Sequence, residues 1–101
     1  MRVLMAESWY WQVLEHDGEL YLECNPEKFS VLFQLNRAER ARFRKRGRVF
    51  VTEDLMKRIV RAPIRYIRRD ITGPLAEQAG EAIMAYLRDT GEYPAGGRAP
   101  L

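Results

Sequence analysis

The sequence predicts an α+β domain in which a three-stranded antiparallel β-meander is followed by three helices, with the C-terminal helix the longest. Two patterns predict this class: apolar residues alternate with polar ones up to residue 35, and they recur at helical spacing after it. A length of 101 residues with 47% hydrophobic residues is typical of one domain with its own core. We therefore assign residues 1–91 to a single domain and predict that residues 92–101 form a disordered tail, because they are rich in proline and glycine.

Residues 8–24 carry the signature of a β-hairpin. Asp17-Gly18 is a pair favoured in the two-residue type I′ turn. With these two residues as the loop, His16 pairs with Glu19 and the register continues towards the outer ends of both strands. The face predicted to meet the core carries six apolar side chains, namely Trp9, Trp11, Val13, Leu20, Leu22 and Cys24.

A third strand is predicted over residues 29–35, after a predicted turn at residues 25–28 that contains Pro26. Its apolar residues alternate along the strand, at Phe29, Val31, Phe33 and Leu35. A small sheet with one strongly apolar face is not stable when bare, so we expect the downstream helices to cover it.

The first helix is predicted to begin after Asn36 and to end at Gly47. Asn36 with Glu39 three residues later resembles a capping box, and glycine is a frequent helix stop. The arginines at even positions from 40 to 48 also fit strand periodicity. We favour a helix because alanine, arginine, lysine and glutamate are strong helix formers.

A second helix is predicted to be capped by Thr52 and to stop before Pro63. Its predicted buried stripe comprises Leu55, Met56, Ile59 and Val60. Residues 49–51 and 64–67 are each compatible with a further short strand. The longest helix is predicted from Pro74 to about Thr90, with an apolar face and Gly91 as its stop.

The sequence predicts no enzyme, because the residues that could form a nucleophilic site lie apart. His16 and Cys24 are the only residues of their types, and in the predicted register they project from opposite faces, roughly 17 Å apart along the strands. We expect Glu19 and Glu23 to occupy ordinary solvated or edge positions. There is no Gly-rich phosphate loop and no metal-ligand spacing, so we expect no cofactor and no metal. A single cysteine excludes an internal disulfide.

The net charge of +3 conceals three blocks of opposite sign. Residues 1–35 carry two cations and six acids, residues 36–69 carry thirteen cations and three acids, and residues 70–101 carry two cations and five acids. Such a pattern favours either an external anionic partner or pairing of the basic middle with the acidic flanks. The candidate partner-binding residues are those of the densest cluster: Arg37, Arg40, Arg42, Phe43, Arg44, Lys45, Arg46 and Arg48.

These patterns lead to the hypothesis of a small, non-enzymatic binding domain that forms a homo-oligomer and engages a macromolecular partner through its basic segment. The aromatic residues Trp9, Tyr10 and Trp11 are a candidate interface, because they lie on a predicted edge strand. An acidic protein surface is one candidate partner, and the alternative is nucleic acid, whose phosphates would contact residues 37–69. No apolar run is long enough for a membrane span and no secretory signal is evident, so we expect a cytoplasmic location and no membrane partner.

Overall fold

The protein, described here over residues 1–7, 10–26 and 29–90 of a computed structural model, has the predicted α+β class. One antiparallel sheet has its strands in the order of the chain: β1 (Arg2–Glu7), β2 (Trp11–His16), β3 (Glu19–Cys24) and β4 (Val31–Gln34). Four helices follow: α1 (Arg37–Arg46), α2 (residues 48–61), α3 (Pro63–Ile67) and α4 (Thr72–Thr90). The described residues therefore contain one strand and one helix more than the sequence predicted. The predicted tail lies outside the described residues.

The predicted hairpin is confirmed in its turn and its register. Asp17 and Gly18 have φ angles of 52° and 81°, and a type I′ turn requires positive φ at both positions. Trp11 pairs with Cys24, and His16 pairs with Glu19. The strand that follows the predicted turn at residues 25–28 is also present, as β4.

The strand missing from the prediction is β1, which pairs with the outer side of β2. Its register shifts between Val3 and Met5, so its alternation is interrupted within six residues. This irregularity explains why the sequence pattern gave no strand signal there. As a consequence β2 is an inner strand, and the prediction that it forms the sheet edge is wrong.

Helix α1 has the predicted start and stop. The Asn36 side chain accepts a hydrogen bond from the Glu39 backbone N–H at 2.9 Å, and the Glu39 carboxylate accepts one from the Asn36 N–H at 2.8 Å. Gly47, with φ 59° and ψ −133°, ends the helix in a conformation that other residues rarely adopt. The strand alternative for this segment is therefore wrong.

Helix α2 starts earlier than predicted, at Arg48. It comprises a short α-helical piece (Arg48–Phe50), a π-helical turn (Val51–Leu55) and a final α-helical piece (Met56–Arg61). Since the chain re-enters a helix directly after Gly47, Thr52 lies inside the π-helical turn and does not cap the helix. Residues 49–51 and 64–67 are helical, so neither adds a strand.

Each face of the sheet is covered by a helical layer. The first face and helices α1–α3 share a core built around Trp11, Val13, Leu22, Phe33, Phe50 and Ile59. The second face packs against α4 through a smaller cluster of Leu14, Tyr21, Leu32, Ala79 and Ala82. The face opposite the predicted core face is thus also buried, and the sheet lies between a basic layer and the acidic C-terminal helix.

Candidate functional site: an arginine-lined pocket

The basic segment is only partly neutralised by the protein's own acids. Six of its thirteen cations form ion pairs: Arg40 with Glu19, Arg46 and Arg58 with Asp54, Arg48 with Glu7, Lys57 with Glu53, and Arg69 with Glu39. Within residues 1–7, 10–26 and 29–90, the other seven have no acidic partner: Arg37, Arg42, Arg44, Lys45, Arg61, Arg65 and Arg68. Pairing within the chain therefore accounts for part of the charge pattern and leaves a cationic surface on the α1–α3 layer.

Two of the aromatic candidates are core residues. Phe43 lies one turn after the buried Glu39 on the side of α1 that faces the sheet, and Trp11 projects from the inner strand β2 under the helices. The expectation that these two side chains lie on a contact surface is corrected by their burial. Tyr10 is 38% exposed and does lie at the surface. Trp9 lies outside the described residues.

The cations of α1 point mostly into solvent. Arg37, Arg42, Arg44 and Lys45 are exposed, and no acid among the described residues holds them. Arg40 is held by Glu19 at 2.9 Å and donates to the Leu35 carbonyl, while Arg46 and Arg48 also form ion pairs. The predicted cluster is therefore divided into a free outer group and a group that ties α1 and α2 to the rest of the domain.

A second cationic group surrounds a concavity where α2 meets α3. Ala62 has φ −135° and ψ 64°, and Pro63 starts α3, so the chain leaves the helical path between the two helices. The break leaves a space of about 350 Å³. We name this space the arginine pocket; it is lined by Arg58, Arg61, Ala62, Arg65 and Tyr66.

The arginine pocket carries more positive charge than the chain neutralises. Arg58 is fixed by its Nε, which lies 2.6 Å from Oδ1 of Asp54 one turn earlier. Arg61 and Arg65 are exposed and have no acidic partner in the part of the chain that the structure describes. Asp54 is shared between Arg58 and Arg46, so at least the two positive charges of Arg61 and Arg65 remain uncompensated at the rim.

Tyr66 forms the floor of the pocket and is 5% exposed. Its ring lies 5.4 Å from the ring of Phe33, centroid to centroid. Burial and the nearby Glu39 carboxylate raise the pKa of Tyr66, outweighing the opposing charges of neighbouring arginines. The hydroxyl group therefore keeps its proton at neutral pH and can act as a hydrogen-bond donor.

Arg69 lies next to Tyr66, and its guanidinium group is already hydrogen-bonded within the chain. Its Nη1 and Nη2 donate to the two carboxylate oxygens of Glu39 at 2.9 and 2.7 Å, and Nη2 donates to the Gln34 carbonyl at 2.7 Å. The guanidinium also stacks over Phe33 at 4.6 Å. Burial alone would raise the pKa of Glu39, but the bonds from Arg69 and Asn36, with the arginine charges, lower it below its ordinary value. Arg69 is thus a structural residue.

An apolar groove adjoins the arginine pocket and shares Arg61 with it. The groove has a volume of about 330 Å³ and is lined by Tyr10, Met56, Lys57, Val60 and Arg61. Val60 is 51% exposed, so its predicted place in the buried stripe of α2 is wrong. It lies about 100° around the helix from Ile59, which points into the core. A cationic pocket and an apolar groove therefore lie side by side.

Cys24 and His16 do not form a catalytic pair. They occupy opposite ends of the β2–β3 ladder, as predicted, and Cys24 is fully buried. Burial, together with the charge of Glu23, raises the pKa of the Cys24 thiol to about 12, so the thiolate is not populated near neutral pH. His16 is partly buried, with its Nε2 3.4 Å from the Asp17 carboxylate.

Glu23 is the one predicted surface acid that burial perturbs. It lies opposite Gln12 on β2 and Leu32 on β4, in the middle of the sheet. Burial raises its pKa from 4.5 to about 7, so the expectation of an ordinary solvated carboxylate is wrong. Gln12 is 5% exposed, and its Oε1 has no hydrogen-bond partner among the residues described.

Across the described part of the chain, no group of three or more histidine, cysteine, aspartate or glutamate side chains is placed to hold a metal ion. No helix in the same residues has the length and apolar character needed to cross a membrane. The chain matches no protein-family model, and the searches of curated proteins and of solved structures likewise gave no match. The inference of function therefore rests on the geometry of the cationic layer.

Proposed function

We propose that this protein is a cytosolic, non-enzymatic binding domain whose α1–α3 layer holds an acidic protein surface. The observation that carries the proposal is the group of seven cations without acidic partners, all on the helical layer of one sheet face. Leaving so many like charges together is unfavourable for the isolated domain, and an anionic partner relieves it.

A protein partner is supported by the apolar side chains that lie among the cations. Val60, Ile64 and Ile67 are 51%, 59% and 42% exposed, and Tyr10 lies in the adjoining groove. Interfaces between proteins are enriched in arginine and tyrosine and bury apolar area at their centre. A partner that offers only phosphates would leave these side chains in water.

The acidic surface can belong to a second copy of the chain, which is why self-association is part of the proposal. Helix α4 carries exposed Glu77, Glu81 and Asp89, and it lies on the opposite side of the sheet from the cations. Its packing against the basic layer of another copy would join surfaces of opposite charge. Because Trp11 is buried, self-association is supported by charge complementarity and not by an exposed Trp11 side chain.

Nucleic acid is the second candidate, and the free cations of α1 favour it. Arg37, Arg42, Arg44 and Lys45 are exposed and suited to phosphate contacts. Each phosphate contact releases condensed counterions, so binding through this group would weaken steeply as salt rises.

The proposal is tested by titrating the domain with a fluorescent glutamate-rich peptide and with a 20-nucleotide single-stranded DNA at several salt concentrations. We expect the peptide to bind and the double variant Arg42→Gln/Arg44→Gln to weaken it, whereas Arg88→Gln on α4 leaves it unchanged. Binding of DNA but not of the peptide would contradict the protein-binding proposal and support nucleic-acid binding. Absence of binding to both would end the proposal, and light scattering that shows a strict monomer across micromolar concentrations would remove self-association.

A further inference from the structure

We propose that the arginine pocket receives the phosphate group of a phosphorylated serine or threonine in the protein partner, while the apolar groove receives a neighbouring apolar side chain of the same segment. This inference rests on the proposed function and specifies the chemistry of its acidic partner. It assigns the pocket and the groove to one ligand because Arg61 lines both.

The charge of the pocket suits a phosphate monoester better than a carboxylate. Asp54 lies 2.6 Å from Arg58, so Arg61 and Arg65 supply the two charges that remain. A phosphorylated side chain carries about −1.5 to −2 at pH 7, whereas a glutamate carries a single negative charge. A phosphate monoester therefore neutralises both free guanidinium groups, and a carboxylate leaves one uncompensated.

The donors of the pocket also match the three acceptor oxygens of such a phosphate. Arg61 comes from the last turn of α2, and Arg65 from α3, so they reach the space from two directions. Arg58, whose closest contact with Asp54 is through Nε, also lines the pocket and is a third cationic donor there. Tyr66, which also lines the pocket, has a hydroxyl group that can donate a hydrogen bond.

The adjoining groove favours a peptide over other phosphate carriers. The arginine pocket, about 350 Å³ in volume, is large enough to admit a phosphorylated side chain, since ligand pockets commonly measure about 300–1,000 Å³. The neighbouring groove, about 330 Å³ in volume, exposes Tyr10 and Val60, which suit an apolar side chain. Nucleic acid carries one charge per phosphodiester and offers no aliphatic side chain to the groove. Both features therefore indicate a phosphopeptide.

The first experiment titrates the ¹⁵N-labelled protein with inorganic phosphate at a constant ionic strength of about 0.15 M and follows the arginine Nε–H signals by NMR. We expect Arg58, Arg61 and Arg65 to shift together. Arg61→Gln and Arg65→Gln should each weaken phosphate binding about tenfold, which is the loss of one charge-assisted contact. The control, Arg88→Gln on α4, removes an exposed cation outside the pocket and should leave binding unchanged. Equal phosphate binding by the wild type and both pocket variants would overturn the inference.

The second experiment compares three blocked peptides that differ at one position, which holds phosphoserine, glutamate or serine next to a leucine. We expect the phosphoserine peptide to bind at least tenfold more tightly than the glutamate peptide and to lose this preference in Arg65→Gln. Replacing the leucine by serine should weaken binding further through the groove. Equal affinities for the phosphoserine and glutamate peptides would overturn the inference and leave the proposed function standing, whereas loss of all acidic-peptide binding would end both.

Competition identifies the carrier of the phosphate. A single-stranded DNA of 20 nucleotides and vesicles containing phosphatidic acid are each added to the complex with the phosphoserine peptide. We expect neither to displace the peptide at an equal concentration of phosphate. Displacement by either would overturn the assignment of the pocket to a protein partner.

Discussion

Replacing Glu23 by glutamine should remove a pH dependence of stability that originates inside the sheet. Burial raises the pKa of Glu23 from 4.5 to about 7 in the folded protein, whereas the unfolded chain releases this proton near the ordinary value. Between these pH values the folded state binds more protons than the unfolded state, so the free energy of unfolding falls as pH rises. At about 1.36 kcal/mol per pKa unit, the loss between pH 4.5 and 7 is roughly 3 kcal/mol.

Urea unfolding, monitored by circular dichroism at pH 5, 6, 7 and 8, measures this effect. We expect the wild type to lose stability across this range and Glu23→Gln to lose less, so that the variant is more stable at pH 8 by up to roughly 3 kcal/mol. Glu77→Gln on the exposed side of α4 is the matched control and should follow the wild type. Parallel pH profiles for the wild type and Glu23→Gln would refute the reasoning, as would a variant that is less stable at pH 8.

Three further predictions concern the helical layer and are checked by chemical or thermal unfolding. Glu39→Gln deprives Arg69 of its partner and should cost about 3 kcal/mol at pH 7; because the folded pKa of Glu39 is lowered, the difference should shrink as pH falls below 4, and a constant difference would contradict this. Asn36→Ala removes the α1 cap and should cost about 1 kcal/mol, so an unchanged midpoint would argue against the capping box. Gly47→Ala should cost about 2 kcal/mol because φ is 59°, whereas Gly80→Ala, with nothing within 4 Å of the added methyl group, should stabilise by about 0.5–1 kcal/mol. A Gly47→Ala variant at least as stable as the wild type would exclude backbone strain at Gly47.

Local signals predicted most of the secondary structure. The Asp17-Gly18 turn fixes the register of the hairpin, and the Asn36–Glu39 box fixes the start of α1, since each depends on residues a few positions apart. The elements that escaped prediction lack such signals. Strand β1 is irregular and is stabilised by its pairing with β2. That pairing is a contact between different segments, which a local sequence pattern does not reveal.

The sequence predicted the positive charge of the candidate site but not the pocket that forms there. The sequence showed that residues 36–69 are basic, but the most concentrated run, near α1, is not where the concavity lies. The pocket depends on the break at Ala62 and on the way Tyr66 packs against Phe33 of β4. The arginines on either side of the Ala62-Pro63 pair were the available sequence signal, although their convergence on one space depends on tertiary packing.

For the proposed binding function, we expect the Glu39–Arg69 pair to keep the basic layer ordered before a partner binds. Glu39 lies in the first turn of α1 and Arg69 follows α3, so their bond joins the two ends of a segment that spans 30 residues. The arginines between Glu39 and Arg69 lie on a segment whose two ends are already joined. Its backbone therefore loses little conformational entropy when a partner binds. Preorganisation of this kind lowers the entropy lost on association. A substitution that breaks the Glu39–Arg69 bond should therefore slow association and weaken the affinity for a partner, even where the substituted residue does not touch that partner.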